Sequence, residues 1–247
     1  MKAHLAFVRL AQSSTCAVAL ALLSRAQISA GALITVPDPT FSIQSALNSA
    51  NPGDTVLVGP GTYNERLDLT TKQVFMLSLS GSEATTIDAG RSGAVIRMTG
   101  NGSEVSGFTI TGGQTSFGAG INIAGGAVSS VIRNNVFQNN FQTAGGFGAA
   151  IGGNSSSPLI ENNVFRNNTS DFQFLSGVIS FVNTSSPVIQ NNLIYDNASR
   201  GINLTLPAGT NPLVINNTID GNRCHGLSSA RIERDTRQPC TQNKTLP

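Results

Sequence analysis

The chain has 247 residues, no Trp, 6% aromatic residues and 26 Gly, which excludes a core built on large aromatics and favours many short strands and turns. Its net charge of +2 comes from the ends, because residues 27–222 hold 7 basic and 11 acidic side chains, a net −4. A mildly acidic body leaves no electrostatic footprint for nucleic acid.

In chain order, the first element predicted is a secretory signal peptide over 1–26. Lys2 and Arg9 give the positive start, "CAVALALL" at 16–23 the apolar stretch, and "SRA" before Gln27 the small-residue cleavage site. Eight apolar residues are far short of the roughly 20 that a bilayer span needs, so the mature chain is expected to lack a membrane span. The expected destination is extracytoplasmic: secreted, periplasmic or on the cell surface. Cys224 and Cys240 are then the remaining cysteines, and whether they pair is left open.

Residues 34–69 read as an N-terminal cap and first coil. Phe41, Ile43, Ala46, Leu47 and Ala50 recur at helical spacing, and Pro52-Gly53 stops the helix. "TVLVGPGTYNERLDL" then alternates as strand, turn and strand. A short helix ahead of stacked strands would cover an otherwise bare edge.

From residue 103 one eleven-residue phrase recurs: "SEVSGFTITGG", "SVIRNNVFQNN", "PLIENNVFRNN", "PVIQNNLIYDN" and "PLVINNTIDGN". Its first apolar position falls at Val105, Ile132, Ile160, Ile189 and Val214, and its second, five residues on, at Ile110, Phe137, Phe165, Ile194 and Ile219. Between them lies a doublet: Gly107-Phe108, Asn134-Asn135, Asn162-Asn163, Asn191-Asn192 and Asn216-Asn217. A third apolar piece follows in each period, as in "GAGINIAGG" and "RGINLTL". Three strand-length pieces per period predict an all-β parallel solenoid over 27–229, with about six coils stacked about 4.8 Å apart. The doublets are expected to be structural corners, since Asn tolerates the left-handed backbone and stacked amides can bond from coil to coil.

Residues 230–247 lack alternation, Asn corners and an apolar face. An irregular or disordered tail is expected there, of the kind a truncated or frame-shifted end would leave.

The combination of "IQSALNSANPGDTVLVGPGTYNE" with the Ile-x-Asn-Asn repeats resembles the right-handed parallel β-helix, or pectin-lyase-like, superfamily over about 34–229. The resemblance implies a single-stranded right-handed β-helix with three short strands per coil. It also implies a range of activities, from pectate lyases, polygalacturonases and pectin methylesterases to proteins without catalysis, so each must be sought in the residues. The methylesterase-like opening comprises Ile43-Gln44, Ala46, Pro60-Gly61, Tyr63 and Glu65, but the Trp that belongs to that family's site is missing. "TIDG", "CHG" and "RIE" resemble polygalacturonase motifs, yet they crowd into 218–233 without a paired Asp-Asp. An inverting glycosidase needs two carboxylates about 6.5–9.5 Å apart on one face. Acidic residues are scattered singly, so no calcium cluster is expected, and with His4 in the leader and His225 at a corner neither is a His-based metal site. No cofactor is expected.

One constellation remains. The outward position after the second core residue is Gln138, Arg166, Tyr195 and Asp220 in successive coils, with Asp196 beside them. An aromatic with charged neighbours on a flat face could grip a sugar chain; the plain alternative is a solvated strand face carrying an ion pair. Two function classes follow: a non-catalytic exported protein that binds polysaccharide or cell-surface glycan, and a carbohydrate-active lyase, hydrolase or esterase.

Overall fold

The computed structural model describes residues 31–69, 72–123, 125, 129–171 and 176–228. The expected signal peptide at 1–26, the tail at 230–247 and Cys240 lie outside the described residues, as do the side chains of Cys224 and His225.

The chain winds as a right-handed parallel β-solenoid with three main sheets, each coil adding one strand to every sheet. The first sheet runs from Leu33–Val36 and Thr55–Val58 through Val131–Arg133 and Leu159–Glu161 to Leu213–Ile215, eight strands among the described residues. The second runs from Gly61–Tyr63 through Val136–Gln138, Val164–Arg166 and Leu193–Tyr195 to Thr218–Asp220, and the third from Leu67–Leu69 to Cys224–Ser228, seven strands each. A small fourth sheet joins Gln114–Phe117, Phe141–Phe147 and Thr169–Ser170. This is the all-β solenoid that the period implied.

Stacking of like on like makes the core. Val105, Ile132, Ile160, Ile189 and Val214 pair in register in the first sheet. Ile110, Phe137, Phe165, Ile194 and Ile219 do so in the second, and all ten are buried. Phe137 and Phe165 lie face to face, centroids 4.7 Å apart and planes 7° from parallel. Gly153 answers Phe181 one coil on: a Cβ there would sit 2.0 Å from the Phe181 ring, so a small residue lets a large one fill the layer.

The helix Ile43–Ser49 begins at Ser42, whose side chain accepts from the Ser45 N–H, and it buries Ile43 and Leu47. Glu65 holds its N-terminus, accepting from the Ile43 and Gln44 N–H groups and the Ser42 hydroxyl at 2.8–3.1 Å. Lys72 donates to the Asn48 and Ala50 carbonyls at the other end, 2.9 Å each. An acid at the first turn and a base at the last complement the helix dipole.

The corner between the first and second sheets uses both residues of the doublet differently. The first takes a left-handed backbone, with φ of 57°, 55°, 56° and 53° at Asn134, Asn162, Asn191 and Asn216, and 85° at Gly107. The second turns inward. Asn135, Asn163 and Asn192 are buried, and the backbone N–H and side-chain amide of each donate to the Oδ1 of the Asn above, in a chain ending at Asn217. At the lower end Phe108 stands where the Asn would be. Its N–H closes the chain on Asn135 Oδ1, and its ring joins the core.

A second amide chain, which the repeat reading did not include, borders the other end of the second sheet. Asn140, Asn168, Asn197 and Asn222 repeat the same bonding. Each follows a left-handed residue: Asn139, Asn167, Asp196 and Gly221, with φ of 54°, 55°, 51° and 60°. Each strand of the second sheet in these coils is therefore clamped at both ends.

Candidate functional site

The three outer faces differ in what they leave for a ligand. On the first sheet, Arg133 pairs with Glu104 at 2.8 Å and Glu161 at 3.9 Å, while Gln190 donates to Glu161 at 2.8 Å. Those polar groups are already engaged with one another.

The third sheet is largely covered by its own chain. Its outward row is Asp68, Arg97, Asn122, Gly152, Ser180 and Asn203 in register. Asp68 and Arg97 are exposed, whereas Gly152, Ser180 and Asn203 are buried. A Cβ on Gly152 would lie 2.7 Å from the Gly118 N and 2.9 Å from the Phe147 carbonyl oxygen, and one on Gly177 would lie 2.8 Å from the Asn203 N. The connections entering the third sheet thus double back over its outer surface, and glycine at 118, 148 and 177 lets them lie flat against it.

The second sheet presents the sequence-derived candidates. Gln138, Arg166, Tyr195 and Asp220 are consecutive partners in register, one per coil, because each follows the buried core residue of its strand. Arg166 leans toward Gln138, donating from Nε at 3.1 Å and Nη2 at 2.9 Å to the same Oε1. That aims its guanidinium away from Tyr195. Asp220 is exposed, and its Oδ1 accepts from the Gly221 N–H at 2.8 Å.

Asp196 is not in the column but at the adjoining corner. Its carbonyl accepts from the Asn167 N–H and its N–H donates to the Asp220 carbonyl. Its carboxylate occupies the space a side chain on Gly221 would need, Oδ1 lying 2.6 Å from that Cβ position. The structure therefore brings Arg166, Tyr195 and Asp220 into one line and sets Asp196 at its margin.

Sequence reasoning passed over the column beside it. Val136, Val164 and Leu193 stack at the first outward position of the same strands, with Leu193 39% exposed. The signal was available, as an aliphatic residue follows the Asn doublet in each of these three coils. Among the described residues, no three His, Cys, Asp or Glu side chains converge as a metal site would require, and no helix is long and apolar enough to cross a membrane.

The "Right handed beta helix region" family model matches residues 83–233. No curated protein matches. Among solved structures, the chain is similar to a pectin methylesterase from carrot at 14% identity and a TM-score of 0.43, over 69% of this chain and 54% of that one. It is similar to pectin methylesterase PemA from Erwinia chrysanthemi at 13% identity and a TM-score of 0.42, over 70% of this chain and 66% of that one. An alginate lyase from Paenibacillus sp. str. FPU-7 matches at 15% identity and a TM-score of 0.35, over 77% of this chain and 96% of that one. The chain thus spans 54% and 66% of the two methylesterases. With its stacked parallel coils and a family match over more than half its length, the chain belongs to the right-handed β-helix family.

Proposed function

We propose that this protein is exported and binds polysaccharide or cell-surface glycan on the outer face of its second sheet. The observation that carries the reading is the single column of Arg166, Tyr195 and Asp220 in three successive coils. A tyrosine ring offers an apolar plate for the C–H face of a sugar, together with a hydroxyl that can bond. Arg166 stands on the strand one coil below and Asp220 on the strand one coil above, the strands being about 4.8 Å apart. The strands holding them are clamped by amide chains, so binding orders little backbone. Full-length protein titrated with a panel of soluble glycans tests this: Tyr195→Ala should abolish binding while the thermal melt is unchanged. Equal binding by the variant would dismiss the column as a solvated strand face. N-terminal sequencing of secreted protein should begin at Gln27.

A second reading, a carbohydrate-active lyase, hydrolase or esterase, draws on the open end of the third sheet, where Asp68, Arg97 and Asn122 stack in register. Release of reducing ends, unsaturated products or methanol from a pectin, with loss in Asp68→Asn, would favour it.

A further inference from the structure

The outer face of the first sheet is unlike that of the second. Its eight described strands present two outward residues each, and nine of these sixteen are Leu, Ile, Val or Phe. The second sheet instead sets Val136, Val164 and Leu193 among ten outward Thr, Asp, Gln, Arg and Tyr residues. An ordered apolar strip about 34 Å long, at about 4.8 Å per strand, is more than scattered exposure accounts for. We infer that a second copy of this chain packs on this strip, face to face and with its solenoid axis reversed.

The polar members of the face do not forbid its burial. Glu104, Arg133, Glu161 and Gln190 lie on four successive strands. They are joined at 2.8, 3.9 and 2.8 Å, so a partner need not supply bonds that they already make. The apolar ends of the strip are open, Leu33 being 62% and Leu213 42% exposed.

Self-complementarity chooses the occupant and its direction. A two-fold axis along the strand direction, between the fourth and fifth strands, lays the first strand of one copy over the eighth of the other. Leu33 then meets Leu213, Phe75 meets Leu159, and the strand of Glu104 lies over that of Arg133. Opposite charges thus stand diagonally across the interface. An axis along the solenoid would lay each strand over itself and bring Glu104, Arg133 and Glu161 each close to its counterpart. Juxtaposed like charges exclude that arrangement. The reversed packing also keeps the strand directions aligned, as stacked sheets prefer. Sixteen residues a side fall short of the roughly 20–30 of a standard interface, so the dissociation constant should be micromolar. The contact uses no residue of the second sheet, and it stands or falls apart from the glycan-binding reading.

Sedimentation velocity of the full chain from about 1 to 200 µM tests this. The expected result is a concentration-dependent equilibrium between monomer and dimer. Phe75→Lys and Leu159→Glu should each weaken the dimer at least about tenfold, since each places an unpaired charge against an apolar side chain. The chain carrying both changes should regain the dimer, because the two-fold axis sets the new lysine against the new glutamate. Leu213→Asp, at the exposed end of the strip, repeats the disruption where folding is least affected. A chain that stays monomeric across the range overturns the inference, and flotation of that monomer with phosphatidylcholine vesicles would assign the strip to a lipid surface. A dimer left intact by all three single changes forms elsewhere and overturns it too. Dissociation in the single variants with no recovery in the double variant overturns the reversed packing.

Discussion

Asn162 and Asn163 are chemically identical neighbours, and the structure assigns them very different energetic weights. Asn163 is 1% exposed. Its Oδ1 accepts from the Asn135 N–H at 3.0 Å and the Asn135 amide at 3.2 Å, and its own amide donates to Ile132 O at 2.9 Å and Asn192 Oδ1 at 3.0 Å. Truncation in Asn163→Ala leaves the buried Asn135 N–H without an acceptor and strips one bond each from Asn135 Nδ2, Ile132 O and Asn192 Oδ1. An orphaned buried group costs about 1–3 kcal/mol and each of the three other lost bonds about 1 kcal/mol, so the variant should lose roughly 4–6 kcal/mol. Asn162 points outward and contributes mainly its tolerance of φ 55°. Asn162→Ala should cost only about 1–2 kcal/mol, and Asn162→Gly close to nothing. Equilibrium denaturation in urea, read at two wavelengths, gives both the midpoint and the slope. Because coils couple mainly to their neighbours, Asn163→Ala should also broaden the transition as the two halves of the solenoid begin to melt separately. If Asn163→Ala costs no more than Asn162→Ala, the amide chain is decorative and the reasoning fails.

Three further outcomes follow from local chemistry. Glu65→Ala removes three hydrogen bonds to the start of the capping helix; it should lower stability by about 2–3 kcal/mol, and protease cleavage should appear first within 31–58. Asp54 accepts from the Asn51 and Ala32 N–H groups at 2.7 Å each, and those bonds, Asn51 first, hold its carboxyl below the ordinary carboxylate value. A lowered folded-state value means the unfolded chain binds the proton more tightly, so this contribution is full above about pH 3.9 and fades as pH falls through the folded value. Melting temperatures between about pH 2 and 6 should therefore drop less steeply in Asp54→Asn than in the parent chain; parallel curves would contradict the assignment. Gly153→Ala drives a methyl into the Phe181 ring and should cost about 1–3 kcal/mol, with Phe181→Leu restoring part of it in the double variant.

How much was legible beforehand depends on whether the information is local. Alternation at period two, Ile132 and Phe137 five residues apart, and the return of both every 25–29 residues already imply strands, corners and coils. Parallel stacking then places Arg166, Tyr195 and Asp220 in line by counting alone. The helix at 43–49 was legible for the same reason, its apolar spacing being contained in one turn after another.

What escaped was decided across coils. Asn140, Asn168 and Asn197 look like polar residues ending a strand, and only their burial and their bonds to the next coil, 25–29 residues away, make them a second clamp. The covering of the third sheet was equally invisible, because a glycine in a connection gives no hint that the chain doubles back over Gly152. Arg166 could have leaned toward either neighbour; its choice of Gln138 depends on which side chain stands one coil below. The period, the alternation and the residues that share a column are written in the order of the amino acids, since these need only backbone geometry and burial of apolar groups. Which amides bond, which face stays open and where a charged side chain aims depend on the folded coils, where groups distant in the chain become neighbours and each polar atom takes the partner within reach.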